Sequence, residues 1–213
     1  LNAPGYSTVR REFTVHATMH AAVENALDVP HTAFLHGGLF RTAKKENDVE
    51  VVVRRYGDRV EAEFVGEPRP KGLVGRLLAP GGGVVTHFDR FLLPNITQVE
   101  YRLGDDSHLV ATSAMVPVRA FETRVVALVT FRLPIPSALV KPLLTPVAER
   151  IFHQDAVMLD LQTRSIERFG GEHYVSTELD VIGPHVLRLL RAAERGEPLG
   201  TELVQENRVR MRT

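Results

Sequence analysis

The 213-residue chain contains no cysteine. Disulfides and thiolate chemistry are therefore excluded. It also lacks net charge: 26 lysines and arginines face 26 aspartates and glutamates. Without an excess of positive charge there is no electrostatic case for nucleic acid or for an anionic membrane as partner. No apolar run approaches the length of a membrane span, and no signal-peptide pattern opens the chain. These absences predict a cytoplasmic protein. The first residue is Leu1 rather than Met, and Leu1-Asn2-Ala3-Pro4-Gly5 reads as a linker remnant. A domain cut from a longer protein, or a sequence lacking its front, is expected. Hydrophobic residues make up 44 % and charged residues 24 %, which suits a single globular domain over residues 1–213 with a sizeable core.

Chemistry concentrates between Glu24 and His36. Two histidines, two carboxylates and an amide fall within thirteen residues. Ala21, Ala22, Ala26 and Leu27 favour a helix, predicted from about Ala21 to His36 and ended by Gly37-Gly38. On that helix Glu24, Asn25, Asp28 and His31 share one stripe, at spacings of three and four. His31 and His36 are five apart, about 140° of rotation on an ideal helix. A regular helix cannot aim both at one point. Pro30 lacks an N–H and pushes on the preceding turn, so a kink before His31 lets the imidazoles converge. Convergent imidazoles joined by a carboxylate are metal ligands; the plainer reading is a helix end carrying two surface histidines.

The remaining pattern is mostly strands. Residues 6–18 alternate as an edge strand. Val49–Tyr56 and Arg59–Val65 form a hairpin about the Gly57-Asp58 turn. Residues 66–83, rich in proline and glycine, predict a long functional connection with a short helix near Leu73–Leu78. Strands follow at roughly 84–93, 96–103, 108–118 and 122–132. A long helix is expected after Pro142 and Pro146, running to about Phe169 and stopped by Gly170-Gly171. Its apolar stripe uses Leu144, Val147, Ile151, Met158 and Leu159. Asp155 lies on that stripe, where a carboxylate is costly unless paired. Asp160 lies opposite, with Arg164 four residues on, and reads as solvated. A second amphipathic helix covers 184–196, and the basic stretch 208–212, within a tail from residue 197, reads as a loose end.

This layout predicts an α+β fold. An antiparallel sheet of six to seven strands wraps on a long C-terminal helix, with a cavity between them. It is a helix-grip arrangement of the START/Bet v 1 kind.

The pattern Asn-x2-Asp-x2-His-x4-His, with Asn25, Asp28, His31 and His36, resembles the metal-binding helix of the catalytic (C-terminal) domain of Rieske-type non-haem iron oxygenases, the aromatic-ring-hydroxylating alpha subunits. Phe152-His153-Gln154-Asp155 through Gln162 is similar to that family's late helix. Pro117 through Arg124 is similar to its Pro-to-Thr-Arg strand connection. The likeness is nearest the monooxygenase branch that includes vanillate demethylase, dicamba demethylase and the chlorophyll-breakdown oxygenases. One position departs mildly: Glu24 stands where relatives often have Asp.

The resemblance implies a mononuclear Fe(II) held by His31, His36 and Asp155. Asn25 would lie near the iron, and Asp28 would hold an imidazole N–H and relay electrons between subunits of a homotrimer. A Rieske [2Fe-2S] cluster needs two cysteines, so it must come from a missing domain or a partner protein served by a reductase. The implied activity is O2-dependent hydroxylation, or oxidative O- or N-demethylation, of a small hydrophobic, ring-containing substrate. Phe34, Phe40, Phe88, Phe91 and Phe131 are the pocket candidates. His87 reads as a pocket or sheet-surface residue. His153 points away from Asp155, and His16, His20, His108, His173 and His185 read as surface groups. Two rivals remain. One is a helix-grip carrier binding an apolar ligand without catalysis. The other is a zinc hydrolase using the same three ligands, with Asp28 or Glu24 as base.

Overall fold

The computed structural model describes residues 4–36, 48–67 and 85–212. Gly37-Gly38, Phe40 and the expected short helix near Leu73–Leu78 lie outside them.

The chain opens with β1 (Ser7–Val15) and then α1 (Met19–Leu27) and α2 (His31–Leu35). Six strands follow: β2 (Asp48–Tyr56), β3 (Arg59–Val65), β4 (Val85–Leu92), β5 (Ile96–Leu103), β6 (Ser107–Arg119) and β7 (Glu122–Arg132). The long helix α3 spans Ser137–Phe169, α4 spans Gly183–Glu194, and β8 (Leu203–Arg212) ends the chain. All eight strands form one antiparallel sheet in the order β1-β7-β6-β5-β4-β3-β2-β8.

The α+β helix-grip expectation holds, and β1 lies at the sheet edge as expected. Three boundaries differ. The predicted single helix through Pro30 is two helices: Asp28 is extended (φ −82, ψ 95) and closes α1, with its N–H donating to the Glu24 carbonyl. Proline removes a donor and crowds the preceding turn, and here the result is a break.

The long helix starts at Ser137 and runs through Pro142 and Pro146. Both prolines are exposed, as is Ala138. The carbonyls that lose their donors thus lie near water, which can satisfy them.

The supposed loose end is β8, an eighth strand paired along β2 from Asp48↔Arg212 to Tyr56↔Leu203. Its side chains are mostly exposed, so the apolar alternation that betrays a strand is missing. Backbone pairing and cross-strand ion pairs hold it: Arg208 Nη1 lies 2.9 Å from Glu50 Oε1, and Arg54 Nε 3.0 Å from Glu206 Oε2.

The core lies between one face of the sheet and the helices. Val51, Val53, Val60, Ala62, Phe64 and Phe91 rise from the sheet. Ala22, Val23 and Leu27 of α1, Leu159 of α3, and Val186 and Leu189 of α4 cover them. Thr18 caps α1, its side-chain oxygen accepting from the Ala21 N–H at 3.1 Å. Phe13 meets Phe152 with ring centroids 5.0 Å apart, tying α3 to β1. Among the described residues no helix is long and apolar enough to cross a membrane.

Candidate metal centre

The break at Asp28–Pro30 sets the direction of α2. Two hydrogen bonds fix the new turn. The Thr32 hydroxyl donates to the Val29 carbonyl at 2.8 Å, and the His36 N–H donates to the Thr32 carbonyl at 3.2 Å. His31 at the start of α2 and His36 just past its end then face α3.

Each imidazole is held at its inner nitrogen. His31 Nδ1–H donates to the backbone carbonyl of Asp28. His36 Nδ1–H donates to Gln154 Oε1 at 3.0 Å. With the protons placed there, both Nε2 atoms carry lone pairs. Those two atoms approach to 3.2 Å. Asp155 Oδ1 of α3 lies 3.1 Å from His36 Nε2 and 3.6 Å from His31 Nε2. One ligand atom from each of the three residues falls within 4.8 Å of the others.

Two lone pairs and a carboxylate oxygen facing one another need a positive centre. Asp155 Oδ1 is buried and makes no hydrogen bond of acceptable geometry. A buried acceptor left in that state is costly. A divalent cation suits this donor set, since two imidazoles and a carboxylate on one face are the ligands of non-haem iron sites. Burial alone would raise the Asp155 carboxyl, but the two imidazoles outweigh it and hold the group below its ordinary range. Burial lowers His36, and the Asp155 and Gln154 contacts reverse that into a net rise.

Asp28 differs in detail from the expectation. Its backbone oxygen takes the His31 proton, while its carboxylate stands 4.0 Å from Nδ1. Burial raises the Asp28 carboxyl, against the lowering effect of His31.

Two cavities flank the three residues. The outer one, about 540 Å3, is lined by Glu24, Asn25, Asp28, His31, Phe34, Met158 and Asp180 among others. Burial, Asp180 and Glu172 push Glu24 up to about 7. The inner one, about 260 Å3, reaches His31, His36, Asp155 and Asn25. Its walls are Phe13, Val15, Val99, Leu103, Leu109, Met115, Phe152 and Leu159, with Thr97, Tyr101 and Ser113 as polar points.

The phenylalanines fall elsewhere. Phe34 is exposed and borders the outer cavity. Phe91 packs in the core, Phe131 faces a minor cavity under α3, and Phe88 lies under the Arg90 guanidinium. The aromatic residues that do line the inner cavity are Phe13, Tyr101 and Phe152, which no motif singles out as pocket walls. The alternation of β1 and the stripe of α3 were the available signals.

His87 is not on a surface. It is fully buried, with Glu67 Oε2 2.5 Å from Nδ1 and Asp89 Oδ1 2.9 Å from Nε2. His20 is buried too, its ring tilted 58° to that of Tyr174 with centroids 5.4 Å apart. Asp160 is paired with Arg164 at 2.9 Å as expected, and also with His16 at 2.8 Å.

Comparison with known proteins places the chain in a family. The model of the vanillate O-demethylase oxygenase C-terminal domain matches residues 15–196. The chain belongs to that family.

Solved structures share the family fold. Dicamba monooxygenase bound to dicamba superposes with TM-score 0.73 at 16 % identity, covering 90 % of this chain and 59 % of that one. NdmA of Pseudomonas putida CBB5 with caffeine gives 0.68 at 18 % identity, covering 92 % and 55 %. NdmB from the same source gives 0.63 at 18 % identity, covering 91 % and 53 %. This chain spans little more than half the length of these neighbours. No curated protein sequence matches it.

Proposed function

We propose that this chain is the catalytic domain of a Rieske-type monooxygenase. It would hydroxylate, or oxidatively demethylate, a small hydrophobic ring-containing substrate, with His31, His36 and Asp155 holding a mononuclear Fe(II). The carrying observation is the convergence of His31 Nε2, His36 Nε2 and the unpartnered Asp155 Oδ1 at the wall of an apolar cavity.

A bound Fe(II) supplies the redox chemistry with O2, and three protein ligands leave positions open for it. In balance, a substrate C–H, O2, two electrons and two protons give C–OH and water. If the hydroxylated carbon is a methyl on oxygen or nitrogen, the product releases formaldehyde. The chain's own contributions are binding and orientation. The Asp28 carbonyl and Gln154 fix the two tautomers. The aliphatic and aromatic walls take up a ring and exclude water. The electrons come from a [2Fe-2S] Rieske cluster outside this cysteine-free chain. By the family's arrangement, a neighbouring subunit of a trimer would present it at the outer cavity beside Asp28.

The test is metal content after anaerobic Fe(II) loading and desalting. About one iron per chain, lost in Asp155→Ala and His31→Ala, is expected. Stoichiometric iron retained in either variant would overturn the assignment. A carrier of apolar ligands would instead bind no iron and bind its ligand equally well in both variants.

A further inference from the structure

A charged triad stands in the core behind the inner cavity. Phe64, His87 and Tyr101 occupy one cross-strand row, paired as Phe64↔His87 between β3 and β4 and His87↔Tyr101 between β4 and β5. The imidazole lies flat between the two rings. Its centroid is 4.4 Å from Phe64 and 4.0 Å from Tyr101, each at an interplanar angle of 16°. At its edges Nδ1 faces the Glu67 carboxylate and Nε2 faces the Asp89 carboxylate.

Carboxylate oxygens accept, so both ring nitrogens donate and the ring is an imidazolium. Its plane is fixed from both sides, because each carboxylate holds one N–H in line. An aromatic face against a desolvated cation is attracted to it by the ring quadrupole. Tyr101 is thereby pinned at its stacked face.

Stability alone does not require this arrangement. A well-packed hydrophobic side chain often replaces a buried ion network at no loss. What the network does provide is one fixed orientation for Tyr101, which lines the inner cavity. Its neighbours there, Leu103 and Leu109, are aliphatic. Tyr101 is the rigid plate among them.

We propose that Tyr101 is a specificity-determining residue of the inner cavity, setting the size of ring accepted, and that Glu67, His87 and Asp89 are positioning residues acting through it. This rests on the reading of that cavity as the substrate site.

The test measures the affinities of two neutral probes, anisole and 2-methoxynaphthalene, by calorimetry on the chain with and without Fe(II). The readout is the ratio of the two, which a loss of stability alone does not move. Tyr101→Ala should shift the ratio at least tenfold toward the larger ring. His87→Gln should shift it at least threefold the same way, with iron content unchanged. Glu67→Gln, which keeps an acceptor on His87 but removes a charge, covers the case in which His87→Gln fails to fold, and should shift the ratio in the same direction.

A ratio within twofold of wild type in Tyr101→Ala overturns the role of Tyr101. A shift in Tyr101→Ala with none in the folded triad variants overturns the positioning role. If neither probe binds the wild-type chain, the proposal falls, while retained iron leaves the oxygenase reading standing. If iron is not retained but the ratio moves as expected, the oxygenase reading falls and the specificity role stands.

Discussion

Gln154 offers the sharpest test of the proposed metal centre, because it is not one of the three proposed ligands. Its Oε1 accepts the Nδ1–H of His36 at 3.0 Å, and the His36 side chain is 2 % exposed. No water can replace that acceptor without opening the site. In Gln154→Leu the Nδ1–H becomes a buried donor with no partner, costing about 1–3 kcal/mol. The ring escapes by turning or by moving its proton to Nε2, where Asp155 Oδ1 waits 3.1 Å away. Either escape removes the lone pair from the metal position, and binding must reverse it. Partners of this kind are worth about 10–100-fold in metal affinity, or about 1.4–2.7 kcal/mol. Gln154→Glu keeps the acceptor and adds charge, so its affinity should equal or exceed that of wild type. Anaerobic competition for Fe(II) against a calibrated chelator measures both. If Gln154→Leu binds within twofold of wild type while folding normally, His36 is not a ligand through Nε2 and the reasoning fails.

Further expectations use other parts of the molecule. Saturation with Fe(II) or Co(II) at about a hundred times Kd adds about 2.7 kcal/mol. At about 2–4 °C per kcal/mol for a chain of this size, Tm rises by about 5–10 °C, and no rise in wild type would refute the site. Burial lowers His87, but Asp89 and Glu67 outweigh it and push it up to about 9, from 6.5 when unfolded. Its stabilising contribution is therefore whole below pH 6.5 and is lost as pH climbs through about 9. Urea midpoints at pH 6, 8 and 9.5 should fall more steeply in wild type than in His87→Gln; parallel slopes count against the imidazolium. Gly57→Ala places a Cβ 2.4 Å from the Gly200 carbonyl oxygen and 2.6 Å from its nitrogen. Backbone cannot yield as a side-chain tip does, so a loss of about 1–3 kcal/mol is expected, with faster amide exchange at Val209. Unchanged exchange there would mean β8 is not anchored through the β2–β3 turn.

What the sequence revealed and what it hid follow from where each signal resides. The convergence of His31 and His36 was legible because it is nearly local: Pro30 breaks the helix that would have parted them. Asp155 showed only as a break in an apolar stripe, and its grouping with them came from the family resemblance. Hairpin strands such as Arg59–Val65 and Ile96–Leu103 were legible because half-buried strands alternate. β8 was hidden for the converse reason: an edge strand with exposed side chains is specified by its partner's backbone and by charges such as Glu50 and Arg54, far away in sequence. The start of α3 was hidden because a proline disqualifies a helix only where its lost bond is buried, and burial is a tertiary fact.

The triad at His87 is the strongest case. Glu67, His87 and Asp89 look like ordinary polar positions at and near strands, and Phe64 and Tyr101 like ordinary strand aromatics. Only the register of β3, β4 and β5 stacks the rings in one row, and a slip of one residue would send His87 to the opposite face. Candidate ligands can thus be picked out by spacing and family pattern. The walls that decide which substrate reaches them depend on register.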